Sequence, residues 1–181
     1  MSRIAVPDRK TAPAASQPLL DAVEKQLGSV PNLFRLVGSS PAALEGLLAL
    51  NGALGKALDA RTRERIALAV AEINGCDYCL SAHTYVGQHH LKLDAAEIAL
   101  NRRGRSGDAR ADAAVAFAAA VTARRGRVDD ADIAAVRRAG YTDAQIVEIV
   151  ALVAANVFTN FVNNVAETEI DFPVVTAAEA A

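Results

Sequence analysis

A chain of 181 residues is long enough to bury a substantial core, and a formal net charge of −2 gives it no basic surplus to draw it to nucleic acid. Apolar residues make up 52% of it, aromatics only 4%, and Trp is absent. Ala, Leu and Val carry the apolar content, which favours close-packed helices over sheet, because strands draw on β-branched and aromatic side chains.

The first ten residues lack the apolar core of a signal peptide, and residues 1–15, with Pro7 and Pro13, read as irregular. A short amphipathic helix is expected over 17–27, ended by Gly28, and a turn led by Pro31 over 32–37. Ser40-Pro41 is an N-cap followed by proline at the first helical position, opening a helix to about residue 58. Asp59 caps the next helix, 60–74, which Gly75 terminates. A further helix starts at the cysteine pair and runs to about His90. Asp94 and Glu97 have capping-box spacing, as do Thr142 and Gln145. Helices over 108–125, 130–138 and 142–167 complete the set. Basic clusters (Arg102, Arg103 and Arg105; Arg124, Arg125 and Arg127; Arg137 and Arg138) fall at helix ends, where cations oppose the macrodipole. No segment alternates with period two. The expected fold is all-α, one compact multi-helical bundle over 1–181 with its core at 47–104. The longest apolar run is interrupted by Glu148 and followed by Asn156 and Asn160, so no membrane span is expected, and the expected location is cytoplasmic.

The chain has two cysteines, Cys76 and Cys79, with His83 four residues beyond and Glu64 twelve before the first. In a reducing compartment such a pair reads as catalytic, redox-active or metal-binding before it reads as a staple. A dithiol beside an imidazole supplies a nucleophile, a resolving partner and a base. Cys76, Cys79, His83, Val86 and His90 share one helical face, and a helix start favours a thiolate. Gly75 permits a helical hairpin in which Glu64 and His83 both lie roughly 12–16 Å from the turn. A carboxylate there would orient the imidazole and raise its basicity. Glu72 is a rival that spacing alone does not eliminate. Residues 66–71 are apolar nearly all round, so this helix should be buried, and a buried carboxylate needs a partner or a proton. Two other readings stand beside the redox one. The cysteines could be inert core residues, or they could join His83 and His90 in a metal site. The latter is disfavoured because all four ligands would come from one straight helix. A thioredoxin fold is disfavoured by the missing βαβ pattern. His89 has no evident partner.

Glu64, eleven intervening residues and Cys76-x-x-Cys79-x-x-x-His83 resemble the alkyl hydroperoxidase D-like branch of the carboxymuconolactone decarboxylase family. Val30 to Phe34 and the late segments 156–160 and 168–173 resemble its peroxidase-related proteins. The resemblance implies a helical subunit that forms trimers or hexamers and a thiol peroxidase without metal, flavin or haem. It implies that Cys79 attacks hydroperoxide, Cys76 resolves, and Glu64 and His83 relay protons. It further implies reduction by an external dithiol such as a dihydrolipoamide-bearing protein. A histidine precedes the second cysteine in the best-known member; Tyr78 stands here, and a neutral phenol is a weaker proton carrier at pH 7. The decarboxylase branch lacks the dithiol. From another class, a non-catalytic redox-responsive assembly protein would use the same cysteine pair once per oxidation. Asn156, Asn160 and Asn164 recur one turn apart on the last helix; they could line the site, form an amide ladder at a subunit interface or cap neighbouring helix ends by hydrogen bonds, and the interface is favoured because the helix is otherwise apolar. With them, Ile146, Ile149, Val150, Val153, Val157 and Phe161 form a broad apolar face expected to be buried in a homo-oligomer.

Overall fold

The computed structural model describes residues 2–178; Met1 and residues 179–181 of the expected domain lie outside them. Among the described residues the regular structure is entirely helical: α1 (Gln17–Leu27), α2 (Asn32–Val37), α3 (Pro41–Leu54), α4 (Ala60–Ile73), α5 (Asp77–His89), α6 (Ala95–Arg102), α7 (Ala109–Ala123), α8 (Asp130–Arg138) and α9 (Asp143–Ala166). Local chemistry sets most starts. The side chains of Ser40, Asp59, Asp108 and Thr142 each accept the amide three residues on, which satisfies donors that a helix start leaves orphaned. The Thr142–Gln145 box closes in both directions. The Asp94–Glu97 box does not. Asp94 caps Glu97, but the Glu97 carboxylate turns to Arg65, Asn101, Ser106 and the Gly107 amide. Helix α3 also stops at Leu54, short of the expected 58, and Gly55 and Lys56 turn the chain into the Asp59 cap.

Helix α4 is the axis of the bundle and packs against α5, α6, α7 and α9. One side, with Ile66, Ala69 and Val70, meets Val115 and Phe117 of α7 and Ile149 and Val153 of α9. The other side, with Leu68 and Ala71, meets Cys76, Cys79 and Leu80 of α5. A third cluster joins Leu20, Val37, Leu44 and Leu47 of the first three helices. Each fully buried leucine of this kind contributes about 1.5–3 kcal/mol.

Helix α9 has 24 residues and, contrary to the expectation from Glu148, Asn156 and Asn160, is by length and composition apolar enough to cross a membrane. Here it packs on α3, α4, α5 and α7. Its faces divide differently from the sequence expectation. Ile146, Ile149 and Val153 are buried in the subunit's own core, and Val157 packs against that core. The outward stripe keeps Val150 and Phe161 of the expected face and adds Val147, Phe158 and Val165, with Phe161 54% exposed and Val165 63%.

The arginine clusters act largely through side chains of other elements. Arg102 pairs with Glu72, Arg105 with Asp112, Arg124 with Asp132 and Arg137 with Asp143. Beyond α9 the chain reverses at Glu167, whose φ is 46°, and residues 169–178 run back as a strap along α5. Val175 donates to Ser81 Oγ at 2.9 Å and Ala177 to Asp77 Oδ1 at 2.8 Å. The Asp171 carboxylate accepts the Asn32 amide at 2.8 Å.

Candidate active site

The site is built on the α4–α5 hairpin. Gly75 sits at φ +59° in the reversal, a conformation costly for any residue with a Cβ. Cys76 is the N-cap of α5 rather than part of its first turn, and its Sγ accepts the Cys79 amide at 3.4 Å. Both cysteines are buried free thiols. Cys76 is wholly enclosed, whereas Cys79 borders a cavity.

His83 and Glu64 meet as the hairpin spacing predicts, with Nδ1 2.9 Å from Glu64 Oε1. Glu72 is committed elsewhere: its carboxylate takes Arg102 at 2.7 Å and the Ala178 amide at 2.9 Å. Burial works to lower the His83 pKa, but the buried Glu64 carboxylate outweighs it and the net shift is upward. The two thiols are driven apart. Cys79 falls to about 6, chiefly through its hydrogen bond with Cys76. Burial opposes this, while His83, Asn163 and Asn160 add to it. Cys76, on the donating side of that bond and buried, is pushed upward and holds its proton.

Asn163 Nδ2 lies 3.3 Å from Cys79 Sγ. The sequence analysis missed this residue because it lies outside the one-turn series of Asn156, Asn160 and Asn164. A buried amide near the end of an apolar helix is a signal, since such a group needs a partner. Within the subunit, the bonds of Asn160 and Asn164 are of the helix-end kind, made to the α4 C-cap Asn74. Asn160 is fully buried and accepts Asn74 Nδ2 at 2.9 Å, Asn164 donates to the Asn74 carbonyl at 2.9 Å, and Asn156 bonds back to Leu152 within α9. Asn160 and Asn164 fasten α9 to the hairpin turn.

Tyr78 is a brace. Its hydroxyl accepts the Leu33 amide at 3.0 Å and donates to Asp171 Oδ1 at 2.8 Å, and burial pushes its pKa up. His90 lies exposed beyond the end of α5, apart from the thiols, and His89 is exposed against the Tyr85 ring. Among the described residues no three His, Cys, Asp or Glu side chains are placed to hold a metal ion.

The cavity at Cys79 has a volume of about 400 Å³. Cys79, His83 and Glu64 line it together with apolar side chains such as Leu33, Phe34 and Phe172. A thiol of lowered pKa, a neighbour that holds its proton and an imidazole whose proton affinity Glu64 raises thus converge on one largely apolar cavity.

The all-helical fold, with its central α4–α5 hairpin, matches that of an alkylhydroperoxidase core. Residues 41–123 match the model of the carboxymuconolactone decarboxylase family. A peroxidase-related protein with an alkylhydroperoxidase AhpD core, from Ralstonia eutropha JMP134, is similar with 28% identity and a TM-score of 0.82, over 94% of this chain and 92% of that one. A peroxidase-related protein from Silicibacter sp. TM1040 shares 26% identity, TM-score 0.73, over 92% and 88% of the two chains. The debrominase Bmp8 shares the fold at 22% identity and TM-score 0.76, over 93% and 91%. No curated protein matches the chain significantly.

Proposed function

We propose that the protein is a thiol peroxidase that reduces small organic hydroperoxides or hydrogen peroxide through a Cys76/Cys79 dithiol–disulfide cycle. The observation that carries this is the pairing of a Cys79 thiol with pKa about 6 and a protonated Cys76, beside an imidazole held by Glu64. The Cys79 thiolate attacks the hydroperoxide oxygen. The S–O bond forms, the O–O bond breaks, and the leaving alkoxide takes a proton from the His83 imidazolium, giving an alcohol and a sulfenic acid. Cys76 then condenses with the sulfenic sulfur, water leaves, and a disulfide remains. An external dithiol, such as a dihydrolipoamide-bearing protein, restores the pair by two exchanges. Glu64 stabilises the imidazolium throughout.

The test is peroxide consumption with dihydrolipoamide as donor. The wild type should turn over repeatedly, and Cys79→Ser should abolish consumption. Cys76→Ser should accumulate a sulfenic acid on Cys79 that dimedone captures. A single stoichiometric oxidation, with no turnover under excess dithiol, would instead support a redox-responsive assembly protein. We further propose a homo-oligomer, trimeric or hexameric, in a reducing cytoplasm that returns both thiols.

A further inference from the structure

The peroxidase reading leaves unused part of the lining of the cavity at Cys79. Arg63 follows the Thr62 turn of α4, is half-buried, and borders the 400 Å³ cavity at Cys79. A second cavity of about 490 Å³ adjoins it, and Gln26, Phe34, Asn51, Gly55 and Arg63 line both. Lys56 lines the second, and no Asp or Glu lines it. The one carboxylate in the inner cavity, Glu64, is taken by His83. Among the described residues Arg63 has no ion-pair partner, and its guanidinium donates to the Leu58 carbonyl. Neighbouring arginines differ: Arg65 and Arg102 each hold a glutamate. A guanidinium carries five donors in a planar fork suited to a carboxylate, and apolar walls make such a pair more valuable than it is in open water.

We infer that the two chambers accept one elongated substrate: a hydroperoxide with an apolar body and a carboxylate end. This rests on the peroxidase reading. The peroxide group meets Cys79 and His83, the body lies along Leu33, Phe34 and Leu54, and the carboxylate is held by Arg63 with Lys56 beyond it. Chambers of this size hold a ligand of medium-chain length. The tail takes no part in bond making; it selects the substrate and sets its depth.

Binding of octanoate and of its methyl ester, which carry no peroxide, tests the selection without turnover. Calorimetry on the wild type should show the acid binding about tenfold more tightly, the share of one charge-assisted bidentate pair. Arg63→Gln should remove that preference, Arg63→Lys should restore part of it, and Lys56→Gln should reduce it less. Equal affinity of acid and ester for the wild type would overturn the inference, as would undetectable acid binding or a preference that survives Arg63→Gln. Peroxide assays separate the two levels. Consumption of cumene hydroperoxide alongside equal binding of acid and ester would sink only the carboxylate subsite. A preserved acid preference with no consumption of any hydroperoxide would sink only the peroxidase.

Discussion

Cys76 and Cys79 stand three residues apart and are pushed toward opposite protonation states by different surroundings. Cys76 caps a helix from an enclosed position, where burial disfavours its charge. Cys79 gathers the Cys76 thiol and the Asn163 amide as donors, with the His83 imidazole acting on it through charge. Because its folded pKa of about 6 lies below the ordinary thiol value of about 8.5, the Cys79 thiolate should predominate at pH 7 and be lost as pH falls through 6. Iodoacetamide labelling of Cys79 against pH should therefore show a midpoint near 6. Asn163→Ala should raise that midpoint by roughly one to two units, the equivalent of one hydrogen bond to a charged group. Glu64→Gln should raise it too and slow turnover, because His83 would no longer be held charged. Glu72→Gln should leave the midpoint in place, since Glu72 serves Arg102 and the strap. An unmoved midpoint in both Asn163→Ala and Glu64→Gln would leave the low thiol pKa unexplained by these contacts.

At the level of elements, the Tyr78 hydroxyl joins three of them: α5, the start of α2 and the strap that follows α9. Tyr78→Phe leaves a part-buried amide and carboxylate oxygen short of a partner, at about 1–3 kcal/mol. Differential scanning calorimetry should record a fall in Tm of roughly 3–10 °C for a chain of this size, with Cys79 labelling little changed. A loss of peroxidase rate by orders of magnitude without loss of stability would instead make the phenol a proton carrier. Boundaries fixed by a cap were legible in the sequence: Asp59, Asp108 and Thr142 start their helices where their spacing to the next apolar run says they should. The Glu64–His83 contact was half legible, since helical rise put both residues at one level but left Glu72 open. What was hidden depended on partners far along the chain. Glu97 abandons its capping box for Arg65 on another helix, and Asn163 finds a thiol 84 residues away. No local periodicity encodes either choice.

For the whole molecule, the outward stripe of α9 is the surface that a single subunit leaves open. Val147 to Val165 spans eighteen residues, about five turns, so Val147, Val150, Phe158, Phe161 and Val165 return to nearly one side of the helix. A contiguous apolar strip roughly 27 Å long is more than isolated exposed residues account for, and self-pairing around a closed ring would cover it without leaving an open edge. Val147→Asp with Phe161→Asp should lower the mass found by light scattering while leaving the helical circular dichroism intact. Val153→Asp should unfold the subunit, because Val153 faces its core. An unchanged mass in the double variant would place the interface elsewhere.

The unequal enclosure of the two sulfurs gives the recovery half of the cycle a direction. In the structure, with both thiols free, only Cys79 borders the cavity, while Cys76 is buried in the cluster that holds Leu68 and Leu80. An incoming dithiol must therefore open the bond at Cys79 and expel Cys76, the sulfur with the higher proton affinity and so the poorer leaving group. The mixed disulfide then sits on Cys79, and the donor's second thiol releases it readily, because the departing thiolate is the stabilised one. On the proposed cycle, opening would be the slow exchange and release the fast one, so a donor would be committed at its first attack and discharged at its second.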